Sequence, residues 1–438
     1  MLIDRVRTRG GQAYPDSLYV DQLVSTPPAR VALRDDLKID VAVVGAGFTG
    51  LSAALALAKV GIDCAVLEAN APGWGASGRN GGQLNPGLKY APGQVRKDLG
   101  ERAMRMSQNA ADLVFELVEE QGIACDIRRG GTLRAAVDQG TLADLHALAR
   151  SAQAEGFDYQ MVSRDEAAAM TGSTRYTGGL RDPKGGQLNP LKYVLGLAAA
   201  AERAGARIYG DTPVLGAEDT GGRWLLTTPQ GGVSAKAVLV ATNGYSGTLV
   251  PKLARSVLPV YSAIIASKPL PPAMRSRIAA GGESVFETGA ITTYYRVDSE
   301  GRLIFGGRGA MADRSGPGAF PSLAAYAEYL WPGIGAVGWE YGWNGRLALT
   351  ADHYPHVHQI GARGFACLGY NGRGVAMATV MGQEMARVLA STLTGAAHVP
   401  AFPVSPIRPI AFQPAWPMGV NPSLALAKAK QWFRNRRG

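Results

Sequence analysis

Six residues, Gly45-Ala46-Gly47-Phe48-Thr49-Gly50, constrain this chain more than any others. Before them stands Asp40-Val41-Ala42-Val43-Val44, a short apolar, β-branched run of the kind that makes a buried parallel strand. After them, Leu51 to Val60 is alanine-rich with leucine spacing, which predicts a helix. Cys64-Ala65-Val66-Leu67 reads as a second buried strand, so a βαβ unit closes within about thirty residues. A G-x-G-x-x-G between strand and helix, with Glu68 ending the next strand, is the pattern of a dinucleotide-binding turn. Gly45 permits the tight turn, Gly47 lets backbone approach a pyrophosphate, and Gly50 lets helix pack on strand. The helix N-terminus offers free N–H groups and a positive dipole end to the phosphates. Glu68, followed by Ala69, is placed to accept from ribose hydroxyls, and an acid there disfavours a 2′-phosphate.

The rest of the chain alternates helix and strand before turning β-rich. Residues 1 to about 37, with Pro15, Pro27 and Pro28, read as an extended arm. Pro72 to Gly93 is a glycine-laden loop; Ala103–Glu120, Leu142–Glu155 and Pro190–Ala204 have helical spacing. Ala206–Tyr209 and Ala237–Ala241 read as further buried strands, and Trp224–Thr228 as a surface hairpin. From Val257 onward, Val260–Ser267, Thr292–Val297 and Arg302–Phe305 predict an antiparallel sheet, with a turn at Asp298-Ser299-Glu300-Gly301. Val375–Ala390 is one last amphipathic helix.

Composition removes several function classes. A net charge of +10 invites a nucleic-acid reading, but the basic residues are scattered apart from a tail carrying Lys428, Lys430, Arg434, Arg436 and Arg437. No stretch interleaves cations with stacking aromatics, so nucleic acid is not an expected partner. Cys64, Cys125 and Cys367 lie far apart with no CxxC, which excludes a disulfide framework and a zinc site of usual spacing. The N-terminus lacks the apolar segment of a secretory signal, and the longest apolar run is too short to span a bilayer. The expectation is a cytoplasmic protein.

Two further glycine segments narrow the ligand. Gly73-Trp74-Gly75-Ala76-Ser77-Gly78-Arg79-Asn80-Gly81-Gly82-Gln83 follows Glu68 with little bulk to pack a core. It offers many backbone N–H donors together with Ser77, Arg79 and Asn80, and suits an extended cofactor passing the sheet edge. Near the far end, Gly369-Tyr370-Asn371-Gly372-Arg373-Gly374 opens the last helix, an anion-favouring geometry suited to the N1–C2=O edge of a reduced flavin.

With these three segments on the page, the chain resembles the D-amino-acid-oxidase-type flavoproteins over about residues 17 to 395. The pairing of GWGASGRNGGQ with GYNGRG is most similar to gamma-glutamylputrescine oxidoreductases. The resemblance implies an α/β fold with a Rossmann-type, GR2-like FAD-binding domain and an interleaved antiparallel-sheet substrate domain. Residues 38–95, 180–256 and 340–395 would form the FAD-binding domain, 96–179 and 257–339 the substrate and helical domain, and 396–438 a C-terminal tail. It further implies an adenine contact through Val214, closure by Ala241-Thr242-Asn243-Gly244, and a flavin between Arg79–Gln83 and Gly372–Gly374. Family members remove a hydride from the carbon beside an amine, after which the imine hydrolyses. Relatives that tether flavin do so through a cysteine where Gly345 stands here, or a histidine where Gly75 stands, so noncovalent FAD is expected. Sarcosine-oxidase-like members grip a carboxylate with a lysine at the position of Ala376, which favours a longer amine here, such as a polyamine conjugate or secondary amine.

Local chemistry supplies substrate-pocket candidates rather than a general base. Tyr261, Tyr294, Tyr295 and Trp343 are candidates to wall an apolar slot, and Arg308 and Arg373 to bind a carboxylate. His353, His356 and His358 suggest a metal at first sight, but no third ligand is fixed on the strand face shared by His356 and His358, and no metal is expected. Dioxygen or a quinone would reoxidise the flavin. The alternatives are a D-amino-acid dehydrogenase feeding a membrane quinone, with Leu424–Arg437 lying on anionic lipid, and a flavin-binding subunit of a multi-chain oxidase.

Overall fold

The structure is a computed structural model and describes residues 13–289, 292–309 and 312–415. The basic tail at Leu424–Arg437 and the first residues of the expected arm lie outside them. The described residues build two large sheets, and the cavity considered below lies between elements of both.

The first sheet is nine-stranded, with a parallel centre. Gly364–Leu368, Gly232–Val240, Leu37–Val44, Cys64–Leu67 and Arg207–Tyr209 lie side by side in that order and all run parallel. The uninterrupted apolar run at Val41–Val44 has a physical reason. Side chains alternate across a strand, and here Val41 and Val43 enter one hydrophobic core while Ala42 and Val44 enter another. The expected hairpin at Trp224–Thr227 pairs antiparallel with Gly232–Val240 and Gly216–Asp219, extending this sheet.

The second sheet has eight strands, in the order Trp339–Leu349, Leu258–Pro269, Arg302–Arg308, Tyr294–Val297, Ser284–Thr288, Thr132–Ala136, Gly178–Asp182 and Gln160–Val162. Every neighbouring pair is antiparallel except Ser284–Thr288 beside Thr132–Ala136, which is parallel. The sheet expected from Val257 onward is therefore real but mixed, and three of its strands come from before residue 183.

Several boundaries differ from the sequence reading. Residues 340–349, grouped by the sequence with the nucleotide-binding segments, lie in Trp339–Leu349, which pairs with Leu258–Pro269 in the second sheet, Leu349 facing Leu258. Residues 180–182 likewise belong to that sheet. A strand's alternation shows that one face is buried but not which sheet it joins. The helix expected over Ala103–Glu120 is broken at Asn109 (φ −92°, ψ 3°) into Glu101–Gln108 and Ala110–Gln121. The arm is not simply extended either. Leu18–Asp21 is a helical turn whose Leu18 and Tyr19 are fully buried, Tyr19 packing edge-on to Trp343 with ring centres 5.0 Å apart.

The last long helix, Gly374–Thr394, packs on Phe48–Lys59, the helix after the first glycine turn. At Gly382 a side chain would overlap the carbonyl oxygen of Thr49, so the two helices touch backbone to backbone. This crossing brings the N-terminal ends of both helices to one cavity. Among the described residues no helix is long and apolar enough to cross a membrane.

Candidate active site

A cavity of about 1270 Å³ runs between the two sheets and is lined by all three glycine segments. Gly45 holds φ at +102°, a conformation that side chains rarely adopt. A Cβ on Gly47 would stand 2.9 Å from Ser77 Oγ, and that hydroxyl accepts a hydrogen bond from Phe48 N at 3.0 Å. The first turn and the second loop are thus fastened together at the helix N-terminus. Gly50 faces away from the cavity; a Cβ there would overlap the Gly45 carbonyl, so its part is the close packing of helix on turn. Glu68 accepts from Ala46 N at 2.7 Å and from Asn70 N at 2.9 Å. Burial raises its pKa, and these backbone donors oppose the rise.

The second loop is braced from within. Arg79 donates to the Trp74 carbonyl at 2.7 Å and stands 4.3 Å over the Trp74 ring. Asn80 donates to the carbonyls of Ala76 and Ser77, and its own oxygen accepts from Gly82 N at 2.9 Å. Gln83 reaches across to the Val285 carbonyl. Gly75, Ala76, Ser77, Arg79, Asn80, Gly81 and Gln83 all line the cavity. Gly82 does not; its φ of +70° and its contact with Leu188 make it a turn residue. Val214, Ala241, Thr242 and Asn243 also line the cavity, Ala241 and Thr242 directly beside Gly45, whereas Gly244 packs beside Leu347. Asn243 accepts from Gly369 N at 3.0 Å, tying this segment to the third glycine turn. There Gly372 adopts φ +85°, and no side chain caps the helix that follows, so its first N–H groups open toward the cavity.

The remaining candidates divide cleanly. Tyr261, Tyr294, Arg308 and Arg373 line the cavity. Tyr294 shares a hydrogen bond of 2.8 Å with Ser262, and its ring fills the space that a side chain on Gly81 or Gly306 would need. Trp343 does not line it. This ring is fully buried in the core and donates to the Arg79 carbonyl at 3.0 Å, so it supports the loop from behind. Tyr295 is fully buried as well, in the second sheet's core against Phe305 and Trp331. Ala376 is buried away from the cavity. His356 hydrogen-bonds Asp352 at 3.0 Å and His358 the Ser405 carbonyl at 2.9 Å.

Sequence reasoning missed several lining residues, four of which bear on the chemistry. Arg134 and Phe286 sit opposite one another on neighbouring strands, Glu287 follows Phe286, and Arg346 lies over Tyr245 at 4.4 Å with its Nε buried and unbonded. A signal existed for Arg134, a single charge inside the apolar run Thr132-Leu133-Arg134-Ala135-Ala136. Burial, and then the neighbouring Arg134 charge, lower the Arg373 pKa to about 9.

Comparison with known proteins agrees with this geometry. Residues 40–388 match the family model described as DAO, FAD dependent oxidoreductase. The chain is 34% identical to the "Probable oxidoreductase OrdL" of Haemophilus influenzae over 364 residues, 80% of this chain and 82% of that protein. It is 31% identical to the gamma-glutamylputrescine oxidoreductase of Escherichia coli over 385 residues, 85% and 89% of the two chains. Its fold superposes on the glycine oxidase of Geobacillus kaustophilus with a TM-score of 0.72 at 23% identity, covering 86% of this chain and 99% of that one. With the matching model spanning most of its length, the chain belongs to the DAO family of FAD-dependent oxidoreductases.

Proposed function

We propose that this enzyme oxidises an amine, a secondary amine or polyamine conjugate, to an imine, using FAD held without a covalent link. The observation that carries the reading is the continuity of the cavity. The glycine-lined half, suited to a dinucleotide, opens directly into a chamber walled by Tyr261, Phe286 and Tyr294. Gly45, Gly47 and the N-terminal turn of the helix Phe48–Lys59 would hold the pyrophosphate, Glu68 the ribose and Val214 the adenine. The segments Arg79–Gln83 and Gly372–Gly374 would hold the flavin. When bound, FAD accepts the hydride released from the carbon beside the nitrogen. The chain's own contribution is to orient that carbon, exclude water with the aromatic walls and leave the amine nitrogen free to lose its proton.

Two features favour a longer amine over a small amino acid. Ala376 is buried outside the cavity, so the lysine grip of sarcosine-oxidase-like proteins has no counterpart there, and a small amino acid would lack that contact for its carboxylate. Each methylene buried against the tyrosines would contribute about 0.8 kcal/mol. The name of the Escherichia coli relative, gamma-glutamylputrescine oxidoreductase, points the same way. Among the described residues no cysteine or histidine lines the cavity, which supports a noncovalent flavin. Anaerobic flavin bleaching with a panel of amines tests the reading. Longer amines should reduce the flavin faster than glycine, sarcosine or D-alanine; the reverse order overturns it.

A further inference from the structure

Arg134 and Arg373 reach the same patch of cavity wall from different parts of the fold. Arg134 projects from the second sheet, on Thr132–Ala136, where it pairs in register with Phe286. Arg373 comes from the turn before the last helix. Both guanidinium groups face the Phe286 ring, at 5.8 Å and 5.4 Å from its centre. Lys89 lines the same cavity and adds a third cation.

Two like charges brought this close are costly unless an anion answers them. The acids Asp144 and Glu287 line the same cavity, but the hydrogen bonds of the two guanidinium groups go elsewhere. Arg134 donates to the Tyr159 hydroxyl at 3.5 Å and Arg373 to the Pro86 carbonyl at 2.8 Å, both neutral acceptors. The buried acid whose field reaches both is Asp182, which does not line the cavity and whose Oδ2 has no hydrogen-bond partner. A guanidinium pair with donors left over and an aromatic floor is suited to a carboxylate, which two forks can hold bidentately.

We infer that Arg134 and Arg373 form an anion subsite that takes a carboxylate carried by the substrate at a distance from its reacting C–N bond. The inference rests on the amine-oxidation reading for the rest of the substrate. It removes an objection to that reading, since a carboxylated amine pays no unpaired-charge penalty if its charge ends here. The carboxylate binds by charge and geometry alone; no bond to it forms or breaks.

The test uses the FAD-loaded protein and a ligand that cannot be oxidised. Glutarate, titrated while the flavin absorbance is followed, should give a saturable difference spectrum, and uncharged glutaramide should bind about tenfold or more weakly. Arg134→Gln should weaken glutarate about tenfold or more with FAD content unchanged, and Arg134→Lys should recover part of the loss. The inference is overturned if glutarate and glutaramide bind alike, if Arg134→Gln leaves glutarate affinity intact, or if that variant instead loses flavin. Should glutarate bind as expected while no amine bleaches the flavin, the subsite stands and the amine reading falls.

Discussion

The hydroxyls of Thr49 and Tyr370, 321 positions apart in the chain, share a buried hydrogen bond of 2.5 Å. Thr49 belongs to the first glycine turn and Tyr370 to the last, so this one bond joins the two helix N-termini that face the cavity. Tyr370→Phe removes a hydroxyl from that pair and leaves Thr49 without its partner. The variant should lose about 1–2 kcal/mol of stability and bind FAD less tightly. Thermal melts with and without added FAD would show it. A variant that melts and binds as the parent does would make the bond incidental.

Gly47→Val should give soluble protein largely free of flavin. Its side chain would collide with Ser77, breaking the bond from Phe48 N, and would stand where a pyrophosphate approaches backbone. The absorbance ratio of flavin to protein in the purified variant measures this directly. Normal occupancy would reduce the turn to a structural role.

Acid precipitation of the purified yellow protein should leave FAD in the supernatant. Gly345 and Gly75 both line the cavity where tethering side chains stand in some relatives, and all three cysteines are buried elsewhere. Flavin retained on the precipitated polypeptide would contradict this.

Stability should depend on pH through Glu287. Burial raises its pKa to about 7, against hydrogen bonds from Tyr176 at 2.9 Å and Tyr326 at 3.1 Å that favour the charged form. Because the folded-state value is the higher one, the folded protein holds a proton that the unfolded chain releases. The contribution is therefore full below about 4.5 and is lost as pH rises to about 7, at up to about 1.4 kcal/mol per pH unit. Unfolding midpoints measured across that window should fall more steeply for the parent than for Glu287→Gln. Parallel curves would place the titration elsewhere.

The glycine-lined half of the cavity was legible in the sequence because its shape is set locally. Gly45 and Gly372 shape their turns through positive φ, and Glu68 braces the first turn through Ala46 N, all within a fixed strand-turn-helix spacing. The substrate half is assembled from long-range pairings that no window reveals. Trp343 and Tyr294 are both strand aromatics, and the pairing of their strands sends one into the core and the other into the cavity. Arg134 lies some 240 positions from Arg373, and their meeting at Phe286 depends on a parallel pairing within a sheet expected to be antiparallel. The sheet that Trp339–Leu349 joins is hidden from the sequence for the same reason.

The contact of Gly382 with Thr49 also bears on how the protein is made. During synthesis the strand, turn and helix around Phe48–Lys59 emerge early, but the helix that covers them ends at Thr394. Until that segment leaves the ribosome, Leu51, Ala53 and Ala54 lack part of the cover that buries them in the finished protein. A nascent chain stalled before Gly374 would carry half a cradle for the cofactor and an uncovered apolar face, a form that chaperones would have to shelter. FAD loading would then wait until the last long helix has been made.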